Sequence, residues 1–167
     1  MTVSRETLRE HLLYTAWATG RLVEAMASLT PEELNRDFGT SDRNPLGTLV
    51  HVFAADRIWL ARLHGQAQGP FITEADRDFT RLRDEIPALH QRWIEWIDRL
   101  PEDGAEENST YTDIKGREWT NPTWQVVLHV VNHATHHRGQ ISGFLRAMGK
   151  TPPPLDLIAY YRQKRNG

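Results

Sequence analysis

The stretch His129–Gly149, HVVNHATHHRGQISGFLRAMG, decides how this chain is read. It holds half of the chain's eight histidines in nine residues, on an otherwise apolar segment. On a helix turning 100° per residue, with His129 at zero, His133 falls at about 40°, His136 at about −20° and His137 at about 80°. Direction alone therefore does not choose among them. Rise does: His129 and His137 stand about 12 Å apart along the axis, too far to share one ion through bonds of ~2.0–2.1 Å. The pairs that remain, 129/133, 133/136 and 133/137, all contain His133. Two histidines do not make a tight site, so a third ligand has to come from another helix.

Working outward, helical periodicity dominates. A first helix is expected from about Ser4 to Ser28, with Leu8, Leu12, Thr15, Thr19, Leu22 and Met26 on one stripe. LTPEEL gives a short turn of helix with a capping box between Thr30 and Glu33. The second long helix opens on Asn44-Pro45 and stops at Gly65. The third lies within 74–101, where Pro87 either kinks it or marks its start. Residues 101–121 break the pattern, and TYTDIKGREWT reads as a hairpin around Lys115-Gly116. Asn121-Pro122 signals the start of the histidine helix, which ends at Gly149. After TPPP a short last helix is expected from Leu155 to about Arg165. Gly139 and Gly143 suggest close helix packing.

The expected fold is thus all-α: a four-helix bundle over residues 1–167 as a single domain, with a hairpin-like excursion before the last long helix and a short C-terminal helix.

Composition narrows the function. The chain has 167 residues, a formal net charge of −2 and no cysteine. It therefore carries no strong basic excess for nucleic acid, no disulfide and no thiolate zinc site. No apolar run approaches the ~20 residues of a membrane helix, and the charged N-terminus lacks a secretory core, so a cytoplasmic location is expected. HVVNH has the zincin spacing, but Val130 stands where that motif needs its general-base Glu. ExxH is absent, which disfavours a di-iron carboxylate site.

Among the other histidines, His64 sits at a helix end, His11 near a helix start, and His90 among apolar neighbours. His51 differs, because Gly47, Ala54 and Ala55 on its own helix leave room beside the ring.

LVHVFAADRIWL on the second helix, NHATHHRGQI on the last and the trailing PPPLDLIAYY together resemble the DinB/YfiT-like superfamily over nearly the whole chain. That resemblance implies a four-helix bundle, a homodimer and a three-histidine divalent-metal site made by His51, His133 and His137. His129 and His136 would then be neighbours, and Gln140, Asp56 and His136 are candidates to support the ligands. No catalytic side chain is assigned. Zinc or nickel leads as the ion, with iron or copper next, since imidazole suits all four. Characterised relatives imply a metal-dependent transferase joining a low-molecular-weight thiol to an electrophile, with the thiol as cosubstrate and a small molecule as substrate. Tyr111, Lys115, Arg117 and Trp119 in the excursion would help to recognise the thiol. The alternative is a non-enzymatic metal-binding stress or damage-response protein working as a dimeric module.

Overall fold

The computed structural model describes residues 3–66 and 72–166. The described chain is mostly helical: α1 (Arg5–Met26), α2 (Pro31–Leu34), α3 (Pro45–Leu63), a 3-10 turn (Glu74–Arg77), α4 (Phe79–Arg99), strands β1 (Asn108–Thr112) and β2 (Glu118–Pro122), α5 (Thr123–Ala147) and α6 (Leu157–Asn166).

Helix starts follow local chemistry. Ser4 accepts from the Thr7 amide at the head of α1, and Thr30 with Glu33 closes a reciprocal capping box on α2. Asn44 Oδ1 takes the Gly47 amide at 2.6 Å, ahead of Pro45 in the first turn of α3. That helix ends where Gly65 adopts φ 65°, a left-handed conformation that glycine takes without a Cβ clash.

Two expectations need correction. Pro87 does not mark the start of α4, which begins at Phe79 under an Asp78 cap and runs 21 residues with the proline inside it. Its missing N–H falls on the exposed face, away from the buried stripe of Leu82, Ile86, Leu89, Trp93 and Ile97, so water can serve the carbonyl left without a donor. Nor does the Asn121 side chain cap α5, which begins at Thr123, directly after the Asn-Pro pair. Both residues belong to β2, and no side chain caps the helix. Its first amides are met from a distance: Thr123 N donates to Glu107 O at 2.8 Å and Trp124 N to Ala105 O at 3.0 Å. The hairpin approach is thus the cap of α5.

The long helices α1, α3, α4 and α5 bury one common apolar cluster, from Leu8, Leu22 and Met26 of α1 through Leu49 and Trp93 to Val127 and Ile141. Helix α1 packs against α4 and α5, and α3 packs against α5. The hairpin pairs Asn108 with Pro122 and Tyr111 with Trp119, and β1 lies against α3 and α5. Helix α6 starts two residues later than expected. It docks on α1 through Tyr160 against Tyr14 and Trp17, with Lys164 on Glu10. Gly139 and Gly143 do not mediate packing, since a Cβ on either would meet nothing within 4 Å. No helix among the described residues is long and apolar enough to cross a membrane.

Candidate metal centre

Helices α3 and α5 pack side by side, and this contact brings His51 to the two-turn stretch carrying His133 and His137. His51 Nε2 faces His133 Nε2 at 3.0 Å. The ring centroids lie 4.9 Å apart for His51–His133, 4.6 Å for His51–His137 and 4.5 Å for His133–His137. One nitrogen from each of the three sits within 4.8 Å of the others.

Each ring is oriented differently. His137 Nδ1–H donates to Gln140 Oε1 at 2.7 Å, one turn along the same helix, which leaves Nε2 as the lone pair. His51 turns its Nδ1 toward Asp42, whose Oδ1 is 3.9 Å away, and Asp42 Oδ2 is 3.7 Å from His137 Nδ1. These separations are too long for hydrogen bonds, but the carboxylate's field favours N–H on that side of both rings. His133 Nδ1 is buried without a hydrogen-bond partner among the described residues, so packing and the Nε2 contact with His51 set that ring.

Burial, followed by repulsion from His137 and His51, pushes His133 down to about 4. His137 is also lowered, first by burial, although Gln140 pulls the other way. At neutral pH these imidazoles are therefore neutral, the form in which their lone pairs can bind a cation. Two Nε2 atoms aimed at each other leave one proton between two acceptors. A cation shared with the third nitrogen satisfies all three, so the donor set fits a divalent ion. With three protein nitrogens, positions remain open for other ligands, as in catalytic rather than structural sites.

The remaining candidates fall elsewhere. His129 lies one turn up α5, its ring 6.0 Å from that of His133 and 5.1 Å from Trp59. His136 is exposed, its ring edge-on to His137 at 4.9 Å. Asp56 turns toward α4: its Oδ2 is 3.6 Å from His90 Nε2, Trp93 Nε1 donates to its backbone carbonyl, and Oδ1 is buried without a partner. Its hydrogen-bond and ion-pair partners among the described residues include none of the three histidines. His64 forms the C-cap of α3, and His11 Nδ1 contacts Thr7 O. Of the hairpin residues, Tyr111 packs on Trp59, while Arg117 and Trp119 engage Asp113 within the hairpin itself.

Sequence reading missed Asp42. The hollow expected beside His51 is in part filled by this loop, since a Cβ on Gly47 would overlap the Asp42 carbonyl. Gly47 and the left-handed Arg43, at φ 67°, together let the loop fold back over the helix start. An acidic residue two positions before the Asn44 cap was the available signal, yet no periodicity separates it from an ordinary loop aspartate.

A family model described as "DinB family" matches residues 1–166. Protein DinB of Bacillus subtilis (strain 168) is 22% identical over 158 residues, covering 88% of this chain and 89% of that protein.

Proposed function

The chain belongs to the DinB family, and from that premise we propose that it binds a divalent ion through His51, His133 and His137 and transfers a low-molecular-weight thiol to a small electrophile. The observation that carries this reading is the meeting of His51 Nε2 and His133 Nε2 at 3.0 Å with His137 alongside. Zinc or nickel suits these ligands first, then iron or copper. Bound there, the ion supplies Lewis acidity, favouring the deprotonated form of a thiol or water at neutral pH. The chain's residues do the rest. Gln140 fixes the tautomer of His137, Asp42 biases the N–H side of two rings, and burial keeps His133 unprotonated. The absence of cysteine is compatible, because the reacting sulfur comes with the cosubstrate. The same reading takes the four long helices as a four-helix bundle, the working unit as a homodimer and the compartment as the cytoplasm.

The test is thiol consumption by untagged protein of measured metal content against a panel of electrophiles. Loss of thiol that requires the metal-loaded protein supports the transferase. No loss from fully loaded protein overturns it and leaves a non-enzymatic metal-binding module.

A further inference from the structure

A cavity of about 240 Å³ opens one turn from His133, between α3, the hairpin and α5. Trp59, Tyr111, Asn121, Gln125, Val126 and His129 line it. Trp59 meets Tyr111 edge-to-face at 4.9 Å and His129 at 5.1 Å, so two aromatic rings and an imidazole form its walls. The volume is below the ~300–1,000 Å³ of sites that take drug-sized ligands, so it suits a body of about one ring.

The polar side chains of this cavity are wired in one direction. Tyr111 O–H donates to Asn121 Oδ1 at 2.9 Å, and Asn121 Nδ2 donates to Gln125 Oε1 at 2.9 Å. The relay engages both amide oxygens as acceptors and leaves amide hydrogens of Gln125 and Asn121 uncommitted among the described residues. Behind it, the Arg62 guanidinium lies 4.5 Å from the Trp59 ring centre and 5.5 Å from that of Tyr111. Its Nε is buried without a hydrogen-bond partner among the described residues, and the carboxylate whose charge reaches it, Asp113, already accepts from Arg117 and Trp119. The cavity therefore offers uncommitted hydrogen-bond donors beside one positive charge. Acceptors, and above all an anionic acceptor, are what such a surface recognises.

We propose that this cavity binds a small planar carboxylate, its ring held against Trp59 and Tyr111 and its charge met by Arg62 and the Gln125 amide, with His129 as the partition between ligand and metal centre. The placement beside the metal centre makes this ligand the carboxylated substrate of the reaction proposed above and rests on that reading. The binding itself does not, because Trp59, Tyr111, Gln125 and Arg62 all lie outside the three-histidine set.

Cinnamate and its neutral analogue cinnamamide serve as probes, titrated into the full-length protein by tryptophan fluorescence and calorimetry, with metal content measured beforehand. Cinnamate is expected to saturate one site per chain, at least tenfold more tightly than cinnamamide. Arg62→Gln should weaken cinnamate at least tenfold with unchanged metal content and unchanged circular dichroism. Arg62→Lys, which keeps the charge, should stay within about threefold of wild type. Equal affinity for the amide, an Arg62→Gln protein that binds cinnamate normally, or no saturable binding to metal-loaded protein would each overturn the proposal. Arg62-dependent binding without thiol turnover would instead uphold the cavity and count against the transferase. Turnover without cinnamate binding would do the reverse.

Discussion

Asp76 and the three histidines both set polar groups against α3, yet only one of the two constellations is complete. Asp76 is buried, and burial works against its charge. Even so, Arg57 Nη1 and Nη2 each donate to it at 3.0 Å, and the Thr73 amide and hydroxyl add two more bonds. Together these outweigh burial and hold the carboxyl at about 2. Every acceptor there is used. At the histidines the balance is reversed: burial and neighbouring rings disfavour the protonation of His133 and His137, two Nε2 atoms face each other, and one Nδ1 has no partner among the described residues. A closed polar cluster ties α3 to the segment ahead of α4, while an open one has lone pairs left for something else. Spent valences mark framework, and unspent ones mark a site.

Mutation can break this contrast. The largest expected effect is at the open cluster: His133→Ala should abolish stoichiometric metal, read by elemental analysis of untagged protein, while His129→Ala leaves it nearly intact. Comparable loss in both would mean that the wrong neighbours have been grouped. Next, Asp76→Ala should cost about 3 kcal/mol in denaturant unfolding, because it removes the buried carboxylate on which the bonds from Arg57 and Thr73 converge, and it should leave the metal content alone. The sign of its pH dependence follows from the lowered carboxyl. The contribution is present above the ordinary value of 3.8 and is lost as pH falls toward about 2. The stability gap between wild type and variant should therefore narrow across that window. Smallest is Gln140→Ala, which frees His137 to take either tautomer and should weaken metal affinity about 10–100-fold without destabilising the fold. Unchanged affinity would show that packing, not Gln140, aims His137.

Much of the fold could be read from local signals because the caps themselves are local. Ser4, the Thr30–Glu33 box and Asn44-Pro45 each act within one turn of their own helix, and the apolar stripes of α1 and α4 follow the helical repeat. The cap of α5 escaped because it comes from Glu107 and Ala105, which no neighbouring residue type announces. Helical rise singled out His133 without any structure. His51, in contrast, stood out only by the small residues beside it and joined the ligand set through family resemblance, since spacing within one helix says nothing of which residue faces it from another. Asp56 misled for a related reason: five residues from His51, it lies on a different face of α3 and serves His90 and Trp93 instead. Asp42 and Arg62 owe their places to a folded-back loop and a docked hairpin, contacts that a linear pattern does not encode.

The remote cap of α5 also governs how this end of the molecule can open. Lifting the hairpin would strip the Thr123 and Trp124 amides of their acceptors. Strand release and unwinding of the first helical turn therefore belong to one cooperative event. In hydrogen exchange, those two amides should gain protection and lose it together with the β1–β2 ladder. The hairpin is thus no independent flap over the cavity. It is the leading edge of the same rod that, ten residues and roughly 15 Å further on, presents His133.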